Sequence, residues 1–117
     1  EKELIKPGGE NVYPAEVESV LSQHEAVRDV AVVGVEDDRW GERVAAAVVC
    51  RPGVNIDVQT LLDWSRERLA GYKRPREIVF LAPDEMPRNT TGKPSRRSVR
   101  ARATRSLSVG IKLMTPI

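Results

Sequence analysis

AVRDVAVVGVEDDRWGERVAAAVVC (Ala26–Cys50) holds two runs of small and β-branched apolar residues around a charged centre. Such runs suit burial on a sheet. They predict a strand over Ala26–Val35, an acidic turn at Glu36–Asp38, an exposed connection at Arg39–Glu42 and a second strand over Val44–Cys50. Two strands this close in sequence pair as neighbours.

The preceding stretch, ELIKPGGENVYPAEVE (Glu3–Glu18), is dense in punctuation. A short apolar strand at Leu4 and Ile5 meets a Pro-Gly-Gly turn, and a second extended piece at Asn11–Tyr13 leads into a helix begun by Pro14. Gly8 and Gly9 permit backbone angles and a closeness of approach that a Cβ would forbid, and Pro14 is preset for a first helical turn. The glycine pair fits a tight hairpin or a phosphate cradle. Val17, Val20 and Leu21 recur at helical spacing, so the helix extends to about Gln23 and covers something.

Beyond the strand pair, Arg51-Pro52-Gly53 makes a turn, and Asp57 is a good N-cap for a helix striped by Val58, Leu61, Leu62, Ser65 and Leu69. Trp64 lies at the edge of that stripe and reads first as a packing residue. Ala70-Gly71-Tyr72 stops the helix, and Lys73-Arg74-Pro75-Arg76 leads into a third strand, Glu77–Leu81. Three prolines, Gly92, Asn89 and two threonines make 82–94 read as an irregular, mobile loop rather than a packed one. A short basic helix follows from Ser95, as its cap, to about Thr104. The order predicts a small α+β domain: a central three-stranded sheet flanked by helices, with an N-terminal two-stranded β-hairpin.

The length, 117 residues, suits one domain with a real core, and 40% hydrophobic with 31% charged residues is ordinary for a soluble fold. No run nears the roughly 18 apolar residues that a membrane span needs, and the opening EKELIK lacks the apolar centre of a signal peptide, so a cytoplasmic location is expected. A single Cys50 and a single His24 offer neither an internal disulfide nor a zinc cluster, and no metal site is expected. All 17 acidic side chains precede Arg88, whereas 88–105 carries seven basic ones and no acid. Such a block suits nucleic acid, an anionic surface, a phosphorylated small molecule or a solvated helix.

Known catalytic signatures are mostly excluded. Gly92-Lys93 invites comparison with a P-loop, which needs glycine five positions before Gly92, where Pro87 stands, and Ser or Thr after the lysine, where Pro94 stands. There is no dinucleotide fingerprint, no nucleophile elbow and no His-carboxylate pair for a hydrolytic triad. What remains is Lys93 on a loop beside a glycine. A flexible ammonium of this kind can hold a carboxylate and a phosphate together while negative charge moves between them. Trp40, set among charges, is either a stacking platform for a base or a packing residue.

ELIKPGGENVYPAEVESVL, VVGVEDDRWGERVAAAVV, LAGYKRPREIVF and MPRNTTGK stand in the order and spacing of the C-terminal domain of the adenylate-forming superfamily. The chain most resembles the acyl-CoA synthetases over roughly residues 1–100, with the lid domain at 1–103 and a divergent tail, expected to be disordered, at 104–117. The resemblance implies a lid that rotates between two half-reactions: a fatty or aromatic acid and ATP give an acyl-adenylate and pyrophosphate, then coenzyme A displaces AMP. The acid, ATP and Mg2+ sites belong to an N-terminal adenylation domain, so the isolated lid is expected to be inactive. Carried over by position, Lys93 is the adenylation lysine and Lys2 the hinge. Gly8 and Gly9 line the pantetheine tunnel, Trp40 contacts the coenzyme A nucleotide, and Arg74 with Lys73 offers charge to its phosphates. Pro94 stands where the family usually has a branched apolar residue. It is expected to hold Lys93 extended and to remove a backbone donor. Two alternatives remain: the lid of a carrier-protein-loading adenylation enzyme, and a non-catalytic nucleic-acid-binding module built on the basic block, which lacks interleaved aromatics.

Overall fold

In the computed structural model, residues 3–109 are described, with side chains through 103. Strand β1 (Val27–Asp37) and strand β2 (Gly41–Cys50) form an antiparallel ribbon in which Val32 faces Ala46 and Asp37 faces Gly41. Both strands reach further into the charged centre than the sequence suggested. Only Asp38-Arg39-Trp40 remains as the loop, and Gly41, at φ +82°, supplies the left-handed residue that lets so short a loop close. Strand β3 (Glu77–Phe80) lies parallel to β2, in the order β1-β2-β3. A parallel neighbour needs a crossover, and residues 51–76 provide one through a helix.

Both faces of the ribbon are covered, which is why its apolar runs are nearly continuous rather than alternating. Val32, Val44, Ala46 and Val48 point to one side, against Val17 and Leu21 of helix α1 (Pro14–Leu21) and Leu61 of helix α2 (Val58–Arg66). Ala31, Val33, Val35, Ala45, Ala47 and Val49 point to the other, against Met86 and against Val99 of helix α3 (Arg96–Val109). The local signals hold: Asp57 caps α2 by accepting the Thr60 amide at 2.8 Å, and the Ser95 hydroxyl accepts the Ser98 amide at 3.3 Å at the start of α3. The N-terminal hairpin is reduced to one bridge between Ile5 and Val12, closed by a 3-10 turn at Pro7–Gly9. Helix α3 continues past Thr104 to Val109, and positions 110–117 of the tail lie outside the described residues.

The stretch 82–94 differs from expectation. It is built rather than irregular. Pro83–Glu85 forms a 3-10 turn whose Glu85 carboxylate accepts the Ala82 amide at 2.7 Å, and Met86 is inserted into the core. Arg88 and Pro94 then face each other across a narrow hairpin. Its backbone bonds run from Asn89 N–H to Lys93 C=O and from Ser95 N–H to Pro87 C=O, both 2.9 Å. Pro94 therefore occupies the position of the pair that exchanges no hydrogen bond, and the donor it lacks is not called upon.

Leu61 is fully buried at the centre of the α2 interface. Leu61→Ala is expected to lower unfolding free energy by about 2–5 kcal/mol, read from urea denaturation with an unchanged m-value. The same change at half-buried Leu62 costs much less.

Candidate functional site

The glycine turn and the β1–β2 loop meet. Gly8 and Gly9 adopt φ +58° and +86°, both left-handed, and the Gly8 amide donates to the Trp40 carbonyl at 2.9 Å. A Cβ on Gly8 would lie 3.1 Å from Cε3 of Trp40, while one on Gly9 would meet nothing within 4 Å. A side chain at Gly8 would therefore strain the backbone and crowd the Trp40 ring, and Gly9 presents bare backbone to open space.

Trp40 is held from below. The Asp37 carboxylate accepts the amides of Arg39 and Trp40, each at 2.9 Å, and Arg43 lies 3.5 Å from Asp37 and 2.8 Å from Glu77. The bond from the Trp40 amide is the main cause that keeps the Asp37 carboxyl below the ordinary aspartate range; burial, next in size, opposes it, and the Arg39 amide and the Arg43 guanidinium aid it. The guanidinium groups of Arg39 and Arg76 lie 5.2 and 5.7 Å from the Trp40 ring centroid. Gly8, Trp40, Tyr72, Arg74 and Arg76, together with the carboxylates of Glu10 and Glu42, line a cleft of about 250 Å³, in which Trp40 and Tyr72 each remain 41% exposed. Exposed aromatic rings beside arginines fit a planar base joined to phosphates.

Of the residues assigned to the coenzyme side, the fold brings Gly8, Trp40 and Arg74 into this cleft, with Gly9 next to it. The Arg74 Nε donates to the Leu69 carbonyl at 3.1 Å, which orients its guanidinium. Lys73 is not among the lining residues. Its ammonium is 2.9 Å from the Glu16 carboxylate on α1, a contact that raises its pKa. Tyr72 and Arg76 were missed. In the sequence Tyr72 read as part of a helix stop and Arg76 as a lead into β3; the one available signal was that both stand in the same short segment as Arg74.

Lys93 stands apart. Gly92, at φ +88°, and the Asn89 side chain shape the tip of its hairpin. Asn89 Oδ1 accepts from the Thr91 hydroxyl at 2.6 Å and from the Thr91 and Lys93 amides at 3.2 Å each. The Lys93 backbone is therefore fixed while its side chain is exposed, with no carboxylate in ion-pair range among the described residues. Arg88 ties this hairpin to Asp29 at 2.8 Å, near the start of β1, whereas Trp40 follows the end of β1 at Asp37. Asp29 and Asp37, the anchors of the two groups, stand eight residues apart on β1, roughly 26 Å along the strand at about 3.3 Å per residue. Lys2, the expected hinge, lies outside the described residues.

The basic block is largely engaged with its own chain. Arg88 pairs with Asp29, Arg96 with Glu18 and Glu3, and Arg100 with Glu42, while Arg102 donates to the Glu85 carbonyl. Three of these guanidinium groups, those of Arg88, Arg96 and Arg100, are thereby paired with carboxylates of the chain itself.

Residues 16–93 match the model of the AMP-binding enzyme C-terminal domain. The chain belongs to that family. It is 50% identical over 93 residues to the 3-oxocholest-4-en-26-oate–CoA ligase of Rhodococcus rhodochrous, covering 80% of this chain and 16% of the relative. It is 48% identical over 99 residues to the indoleacetate–CoA ligase of Aromatoleum aromaticum, covering 85% and 19%. A fatty acyl CoA synthetase of Mycobacterium tuberculosis superposes with a TM-score of 0.80 at 40% identity, over 90% of this chain and 20% of that one. The o-succinylbenzoate CoA synthetase of Bacillus subtilis, solved with its acyl-adenylate intermediate, gives 0.76 at 42% identity, over 85% and 20%. This AMP-binding C-terminal domain thus spans about a fifth of the length of such relatives.

The Asp37 contacts carry a pH signature. An unfolded Asp37 protonates near about 3.9 and the folded one lower, so the stabilisation of the Trp40 loop is complete above the former and lost as pH falls through the latter. In a Trp64→Phe background, Trp40 fluorescence should stay constant from neutrality to about pH 4 and change only below it. Asp37→Ala should give the altered emission at every pH.

Proposed function

We propose that the chain is the C-terminal lid of an ATP-dependent acyl-CoA synthetase, whose N-terminal domain binds a fatty or aromatic carboxylic acid, ATP and Mg2+. In the first half-reaction the acid's carboxylate attacks the α-phosphorus and pyrophosphate leaves. The Lys93 ammonium, delivered on its stiff hairpin, lies between the acid's carboxylate and the α-phosphate and offsets the charge passing between them. In the second, the thiol of coenzyme A attacks the acyl carbonyl and AMP leaves. Gly8 and Gly9 then form the wall of the thiol's passage, where bare backbone leaves room. Trp40 and Tyr72 stack with the nucleotide while Arg74 and Arg76 meet its phosphates. Lys73, occupied by Glu16, contributes at most a distant charge.

The observation that carries this reading is that the Lys93 hairpin is fastened to Asp29 near the start of β1, while the loop carrying Trp40 is fastened to Asp37 at its end. One active site cannot receive both at once, so a lid with these two ends must turn between steps. The cleft, with two aromatics and arginines, favours free coenzyme A over a carrier protein. No grouping of three His, Cys, Asp or Glu side chains among the described residues could hold a metal, so the Mg2+ that accompanies ATP would take its protein ligands from the N-terminal domain. Among the described residues no helix is long and apolar enough to cross a membrane.

The test is a crossover of half-reactions in the full-length enzyme. Lys93→Ala should reduce adenylation, followed by pyrophosphate release, by about 10²- to 10³-fold. Thioester formation from supplied acyl-adenylate should survive. Gly9→Leu should do the reverse, and more strongly than Gly9→Ala, which carries the same backbone strain without the bulk. Equal loss of both steps in Lys93→Ala would overturn the reading.

A further inference from the structure

We infer that Glu42 is a positioning residue for the thioester step, acting through the Gly8–Gly9 turn; the inference rests on the function proposed for that turn. Glu42 stands one residue beyond Gly41 in β2, at the wall of the cleft, with its side chain 22% exposed and both carboxylate oxygens engaged by the chain itself. Its Oε1 accepts the amide of Lys6 at 2.7 Å, and its Oε2 meets the Arg100 guanidinium of α3 at 3.1 Å. Lys6 immediately precedes Pro7, Gly8 and Gly9. The turn is therefore fastened to β2 on one side by Glu42 and to the β1–β2 loop on the other by the bond between Gly8 N–H and Trp40 C=O.

The fold makes room for this carboxylate. Gly34, across the ribbon from Val44, has no Cβ, and one built there would stand 2.8 Å from Glu42 Oε2 and 3.0 Å from Cγ2 of Ile5. Gly34 lies in ordinary strand conformation, so its glycine serves space rather than backbone angle. That vacancy lets the Glu42 carboxylate lie over β1 and reach Lys6. A turn with two consecutive left-handed glycines has little stiffness of its own. Its shape depends on the bonds that flank it, and a charge-assisted bond from a backbone amide to a carboxylate is among the stronger ones available. Glu42 makes no contact with the Lys93 hairpin, so its removal should leave adenylation untouched.

The experiment uses the full-length enzyme with Glu42→Ala, Glu42→Gln, Arg100→Ala, Gly34→Ala and Gly9→Leu, assayed separately for adenylation and for thioester formation, with urea denaturation to establish folding. Loss of one charge-assisted bond corresponds to about a tenfold slower thioester step in Glu42→Ala, with adenylation within about twofold of wild type. Glu42→Gln should recover most of the rate, because its amide oxygen still accepts the Lys6 amide, and Arg100→Ala should resemble wild type. Gly34→Ala, which displaces the carboxylate without removing it, should reproduce the selective loss even if Glu42→Ala folds poorly. If Glu42→Gln is as slow as Glu42→Ala, if Arg100→Ala matches it, or if Gly34→Ala slows both steps alike, the positioning role is overturned. If Gly9→Leu leaves thioester formation intact, the function proposed for the turn fails instead.

Discussion

One carboxylate fastens three elements of this domain together. Glu18, on α1, accepts the Val32 amide at 2.9 Å and receives Arg96 through two nitrogens, Nε at 2.7 Å and Nη2 at 2.6 Å. β1 is an edge strand, and the Val32 amide faces away from the sheet, where it would otherwise seek another chain. Helix α1 covers one face of the ribbon and α3 the other, so Arg96 reaches around the edge to meet Glu18. Glu3 completes its surroundings, and these carboxylates, Glu18 foremost, hold the arginine's proton still more firmly than usual. A two-point pair with side-chain exposures of 18% and 29% is sheltered enough to resist salt, and a carboxylate left there without its arginine would be costly.

The consequence for function lies in where this fastening sits. Arg96 is the third residue after Lys93, so the clamp that holds α3 to β1 also fixes the root of the Lys93 hairpin. Arg88 fixes its other root through Asp29. At the far end of β1, Asp37 fixes the loop carrying Trp40, and Glu42 fixes the glycine turn. Each working group is exposed, but its supporting bonds lie on the ribbon, which is buried on both faces. The proposed turning of the lid as one body would need this combination, because the geometry of each end would have to survive the motion.

Much of this was legible in the residues. β-branched runs, the Asp57 and Ser95 caps, Pro14 at a helix start and the left-handed glycines are local signals, and each appears where it was expected. The 82–94 stretch was misjudged because prolines were read as breakers, while the bonds that order it, Arg88 to Asp29 and Ser95 N–H to Pro87 C=O, depend on the folded path of the chain. Pro94 looked like a lost donor only until the hairpin register showed that its position exchanges no bond. Lys73 looked free because Glu16, its partner, lies 57 residues away. Tyr72 and Arg76 reach the cleft only because β3 lies parallel beside β2, a pairing that local periodicity does not reveal.

The central claim is that the two ends of the ribbon serve different steps. Amide hydrogen exchange of the full-length enzyme tests it most directly, with a non-hydrolysable acyl-adenylate analogue in one experiment and coenzyme A in the other. Protection of 88–93 is expected with the analogue alone, with a shift of protection to 8–10 and 39–42 with coenzyme A. Protection of both segments together, by either ligand and to the same degree, would contradict it.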